Sequence, residues 1–153
     1  MKFIIKTYNK LANLLSKLPL PILDLFLRGS IFMIFWKSVQ TKITGATVFG
    51  QDFAFWNLTS STFTLFEWEY DLPILPYELA AYMGTFAEFF LSILIFLGLF
   101  TRLAAIGLLA ITLTIQIFVY PEAWALHLSW MAMLLTIIKY GSNVVSLDYW
   151  LRK

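Results

Sequence analysis

Apolar residues fill most of the chain and are broken at regular intervals by prolines, glycines and isolated charges. The first stretch, MKFIIKTYNKLANLLSKLPLP, sets Lys2, Lys6, Lys10 and Lys17 at mostly four-residue spacing among Phe3, Ile4, Leu11, Leu14, Leu15 and Leu18. That pattern predicts a basic amphipathic helix lying on an anionic membrane surface. A secretory signal fits less well, because lysines interrupt the apolar part and no small-residue cleavage pattern follows. Pro19 and Pro21 then separate this helix from four apolar segments, predicted at about residues 22–42, 78–97, 103–119 and 124–140. The second and third form a hairpin through Gly98-Leu-Phe-Thr-Arg102. Tyr120-Pro-Glu-Ala123 turns the third into the fourth, which is expected to end at Gly141.

Residues 43–77 break the pattern. Phe49, Phe53, Phe55, Trp56, Phe63, Phe66, Trp68, Tyr70 and Tyr77 alternate with Asp52, Glu67, Glu69 and Asp71. Such a stretch is too aromatic for a disordered linker and too interrupted for a span, so it is expected to fold back as an aromatic lid at the membrane interface. The glycosylation-like Asn57-Leu-Thr59 is read as chance. No internal repeat divides residues 1–153, which are taken as one domain: an all-α integral membrane four-helix bundle with an interfacial amphipathic helix in front.

Composition agrees. Hydrophobic residues make up 60% and charged residues 13% of the chain, and the mean hydropathy is +0.78, values that belong in a bilayer. A net charge of +2 gives no reason to expect a nucleic-acid partner. With four spans, the lysines of the N-terminal helix, Arg102, Lys139, Arg152 and Lys153 fall on one side, and the acids of the aromatic stretch with Glu122 on the other. Both termini are therefore expected in the cytoplasm of a bacterial-type inner membrane.

Buried polar residues are the candidates for chemistry. Counted at about 1.5 Å of rise per residue from the outer end of each predicted span, Glu88 lies about 15 Å deep, Arg28 about 21 Å, Lys37 about 7 Å, Gln116 about 6 Å and His127 about 5 to 7 Å. Two layers result. Glu88 and Arg28 form a midplane layer and are expected to make a structural ion pair, since a lone charge in a span costs roughly 3 kcal/mol or more. The second reading of Glu88 is a neutral carboxyl that exchanges protons. Lys37, Gln116 and His127 form an outer layer, with Trp124 and Trp130 beside His127, and together with Glu88 they are candidates to line an outward-facing pocket. For His127 the plainer reading is a hydrogen-bonded interfacial residue, and Lys37 can simply extend toward the surface.

Several chemistries fail on composition. The chain has no cysteine and one histidine, which excludes disulfides, thiolate sites and bis-histidine haem. No HExxH, Ser-His-Asp order or phosphate-binding glycine loop is present. His127, Met131 and Met33 are weak candidates for a soft-metal site, because methionine in apolar helices usually fills space. Aromatic walls with a few polar groups and a carboxylate suit a quinone better.

The segments LRGSIFMIFWKSVQTKI, LPYELAAYMGTFAEFFLSILIFLGLFTRLAAIGLL, TIQIFVYPEAWALHLSW and YGSNVVSLDYW resemble the DoxX family of small four-helix membrane proteins. The resemblance runs from about Leu25 to Trp150. Its most specific pieces are Glu88, then Leu97-Gly-Leu-Phe-Thr-Arg102, then Ser146-Leu-Asp148. It implies kinship with the small subunit of an archaeal thiosulfate:quinone oxidoreductase, hence a subunit of a quinone-linked redox or metal-stress system working with a protein partner or as a homo-oligomer. The alternative implied is a non-catalytic membrane scaffold for a metal-stress or metallophore-type protein. This chain departs from the family pattern in reading Gly141-Ser142-Asn143 where Gly-Pro-Gly is common, and Lys37 where many members carry histidine.

Overall fold

The computed structural model describes all residues, 1–153. Helix α1 (Lys2–Leu15) stands apart and meets α2 (Leu20–Gln40) at 70°, where Pro19 and Pro21 interrupt the backbone hydrogen-bond ladder. A short α3 (Ser60–Leu65) runs into a π-helical segment, Phe66–Tyr70. Next come α4 (Tyr77–Leu97), α5 (Thr101–Thr114) with a second π-helical segment at Ile115–Val119, α6 (Trp124–Tyr140) and a terminal α7 (Leu147–Leu151). Helix α2 packs on α4, α4 on α5, α5 on α6 and α6 back on α2, which closes a four-helix ring. Its core is Ile31, Phe35, Ile95, Leu108, Leu134 and Ile137, with Ala104 and Ala105 letting α5 approach closely.

Two helices are long and apolar enough to cross a membrane, α4 and the continuous Thr101–Val119, and a third if the bent α1–α2 pair counts as one span. The expectation of four spans is thus met only in part. Helix α2 holds Asp24, Arg28 and Lys37, and α6 has 17 residues, short of the roughly 20 that a bilayer core asks of a helix lying along its normal.

The helices are not in register at their ends. Lys42, two residues past the end of α2, meets Glu88, the twelfth residue of α4, while Tyr77 to Glu88 continue about 16 Å beyond it. Residues 43–77 fill that step. Ile43 bridges Leu58, Thr44 N–H donates to the Asn57 carbonyl and Thr59 N–H to the Lys42 carbonyl, so the chain loops out and returns to the head of α2. Within the loop, Trp36 Nε1–H donates to Gln51 at 2.8 Å, and Gln40 exchanges hydrogen bonds with the Asp52 backbone. Phe55 wedges against Phe86, Phe89 and Phe90 on the flank of α4. The first π segment seats Phe66 and Tyr70 on the upper half of α4 with Ala80, Ala81 and Ile115. Gly84 makes this possible, because a Cβ there would lie 3.0 Å from the Phe66 ring.

Candidate functional site

The expected Glu88–Arg28 pair does not form. Glu88, buried on α4, pairs with Lys42, whose Nζ lies 2.6 and 2.8 Å from the two carboxylate oxygens and 2.7 Å from Ser38 Oγ. Lys42 is itself buried. Its backbone is clamped by the returning connection, the Thr62 hydroxyl donating to its carbonyl at 2.8 Å. The depth count assumed that all spans run the same height. Because α2 stops level with Glu88, the lysine just past its end and not its central arginine is the neighbour.

Arg28 lies at the other end of the bundle. Its Nε donates to Asp24 at 3.1 Å, Nη1 to the Phe96 and Ile95 carbonyls at 3.0 and 3.5 Å, and Nη2 to the Val145 carbonyl. Asp24 also accepts from Asn143 N–H at 3.1 Å. Beside it, Asp148 accepts from Phe100 N–H, Thr101 N–H and the Thr101 hydroxyl, at 2.7 to 3.0 Å, satisfying the donors at the head of α5. Burial alone would raise the Asp148 carboxyl, yet these bonds and one from Ser142 hold it below the usual carboxylate range. Gly98, at φ +68°, sits where a Cβ would come within 2.6 Å of Arg28 Nη1 and Ser146 Cβ. The Leu-Gly-Leu-Phe-Thr-Arg and Ser-Leu-Asp motifs therefore build one knot that ties α2, α4, α5 and the C-terminal tail.

The outer candidates divide. Gln116 and His127 are both buried and joined, Gln116 Oε1 lying 2.7 Å from His127 Nδ1 while its Nε2 donates to the Pro121 carbonyl at 2.8 Å. Trp130 meets the His127 ring edge-on at 5.0 Å. Trp124 and Lys37 are exposed, so neither belongs to this pair. Lys37, one residue before Ser38, takes no part in the Lys42–Ser38–Glu88 contact. Met33 is exposed beside Gly29, Ser30 and Phe96, whereas His127 and Met131 are buried on α6. The three soft donors do not converge.

Between α4, α5 and the first π segment is a cavity of about 250 Å³. Its walls are apolar, from Phe66, Leu72, Leu75, Met83, Ile111 and Ile115 among others, and Glu88, Tyr70 and Thr114 bring its polar atoms. Tyr70 is buried and its hydroxyl has no partner in the protein. Burial first, and then nearby Glu88, push that phenol well above its usual value, so it remains a hydrogen-bond donor throughout the physiological range. One turn from Glu88, Thr85 Oγ is buried without a hydrogen bond. The Tyr120 hydroxyl donates to Glu69 at 2.7 Å and links the segments around the two π turns.

Lys42 and Tyr70 are the residues that sequence reasoning passed over. Lys42 had a signal: it follows Ser38 by four residues, one helical turn, just past the end of α2. Tyr70 had only its place among many aromatics.

The family model described as DoxX matches residues 23–121. No curated protein and no solved structure matches the chain.

Proposed function

The chain belongs to the DoxX family of membrane proteins, and from that premise we propose that it is a subunit of a quinone-linked redox system whose cavity beside Glu88 receives the quinone ring. The observation that carries this reading is an apolar cavity with the Tyr70 phenol and the Glu88 carboxylate in its lining. A quinone offers what those groups lack: a flat apolar ring for the walls and carbonyl oxygens for the phenol. Glu88, held by Lys42, is the group placed to exchange a proton with the ring oxygen. The connection around Phe66–Tyr70 acts as the cover. Reduction of the quinone takes two electrons together with two protons to its oxygens, and the electrons come from a partner protein, since the side chains of this chain supply no redox centre.

In this reading all four ring helices cross a bacterial-type inner membrane, and the basic end, with Lys2, Lys6, Lys10, Lys17, Arg102, Lys139, Arg152 and Lys153, faces the cytoplasm. The test is reconstitution of the purified protein with a short-chain ubiquinone or menaquinone analogue, followed by tryptophan quenching. Saturable quenching is expected, and Ala87→Leu, which projects a branched side chain into the cavity, should abolish it. Quenching that rises linearly with analogue in both proteins would sink the proposal.

A second reading has its own support. At the acidic end Phe49, Trp56 and Trp68 are exposed among Asp52, Glu67, Glu69 and Asp71, a composition suited to docking a protein. That reading makes the chain a membrane scaffold for a metal-stress protein. A pull-down from native membranes that recovers only the free protein would count against it.

A further inference from the structure

Helix α1 buries none of its residues in the protein. At about 100° per residue, Lys2, Lys6, Lys10 and, just past the helix, Lys17 fall within about 80° of arc, flanked by Asn9 and Asn13. The remaining arc carries Phe3, Ile4, Leu11, Leu14 and Leu15, all exposed. No acidic residue is present in the helix. A helix so sharply divided, with an apolar face that the bundle leaves open, requires a cover that is apolar below and negatively charged beside it. The 70° bend to α2 lays α1 close to the plane across which α2 stands. Arg102, Lys139, Arg152 and Lys153 are also exposed, and Asp24 and Asp148 are engaged in hydrogen bonds within the knot.

We propose that α1 is a charge-selective interfacial helix that binds the anionic phospholipid surface of the leaflet at the basic end of the bundle. The apolar arc enters the boundary between headgroups and acyl chains, and the four lysines lie along the phosphates. The occupant is the lipid surface and not a second copy of α1, because a copy would cover the apolar arc and leave the four lysines without a counter-charge, the helix having no acid, whereas an anionic surface answers both arcs at once. The binding is independent of the cavity and of any ligand there.

The chain has no cysteine, so Leu11→Cys can carry a single environment-sensitive fluorophore in the full protein. It is reconstituted in vesicles of phosphatidylcholine alone or mixed with phosphatidylglycerol. The expected result is lipid-like emission in the mixed vesicles, shifted toward water-like emission in phosphatidylcholine alone and by raised salt. Replacing lysines with glutamine one after another should lower the immersed-to-free ratio by about fivefold for each one removed. Because α1 buries nothing in the bundle, the thermal melt followed by tryptophan should not change in any of these variants. Equal immersion in neutral and anionic vesicles would overturn the charge selectivity. Water-like emission in both, or immersion that depends on protein concentration and so on a second copy, would overturn the proposal as a whole.

Discussion

Two buried ion pairs hold opposite ends of this bundle, and they differ in how completely their surroundings answer them. Around Arg28 every donor nitrogen has an acceptor: Asp24 and three backbone carbonyls take its hydrogen bonds, and Asp24 takes another from Asn143. The guanidinium itself is tightly enclosed, since a Cβ on Gly98 would collide with it, and the cleft of about 410 Å³ on that side reaches Asp24 and not Arg28. Around Glu88 the pair is equally close, but Thr85 Oγ one turn away is buried without a partner, and a cavity lined by Glu88 and Tyr70 adjoins the pair. A saturated polar cluster can only hold elements together. An unsaturated one beside a void has bonds to offer a ligand.

The sharpest break in that comparison is Arg28→Ala. It orphans Asp24 and three carbonyls, and a loss of about 3–5 kcal/mol is expected, read as a fall in the melting temperature of detergent-purified protein or as absence of folded protein. Arg28→Lys should recover little of it, because an ammonium cannot follow the guanidinium's planar fork. If Arg28→Ala leaves the melt unchanged, the knot is not what ties the basic end.

Glu88→Leu should cost about 3 kcal/mol by leaving Lys42 buried and unpaired, while Glu88→Leu with Lys42→Met should recover most of that stability. The double variant separates structure from function: it is expected to melt near the parent protein and to lose saturable quinone quenching. Retained quenching would reduce the pair to a helix clamp.

Asp148→Ala should cost about 1–2 kcal/mol by stripping the head of α5 of its cap. Its pH signature has a definite sign. The carboxyl is held below its unfolded value, so its contribution is complete above the ordinary carboxylate pKa and is lost as the pH falls through the lower, folded one. Asp148→Asn should flatten the acid limb of a stability-against-pH profile relative to the parent, and an unchanged limb would remove Asp148 from the account. The smallest effect on stability is expected from Tyr70→Phe, within about 0.5 kcal/mol, since that hydroxyl has no bond to lose. The same change should weaken quinone binding by about tenfold in the quenching titration, if the phenol is the donor that the cavity offers.

Much of the architecture could be read from the chain. The amphipathic N-terminal helix, the break at Pro19 and Pro21, the four long helices and the hairpin at Gly98 all follow from periodicity and punctuation, which are local properties. The site could be read only in part. His127 and Gln116 meet as the depth count suggests, because both lie one to two turns from the short Tyr120–Ala123 connection that keeps α5 and α6 in register. Lys37 and Arg28 were misplaced because no short turn fixes α2 against α4. Thirty-six residues separate those helices, and their offset is decided by how Phe53, Phe55, Phe66 and Tyr70 pack, which is a tertiary property. Lys42 was taken as the boundary of a span, although its neighbour across the step is the very acid that needed a partner.

The wide turns at Phe66–Tyr70 and Ile115–Val119 have a bearing on how this chain tolerates changes of length. A π turn holds one residue more than the α-helix around it, so losing a residue there tightens the turn and leaves the helix unbroken. The same deletion inside α4 would turn one half of that helix by about 100° against the other, and Ala81, Glu88 and Ile95 could no longer share a face. Natural variation in chain length should therefore collect at these two turns, and a scan of single-residue deletions would find them as islands of survival in otherwise intolerant helices.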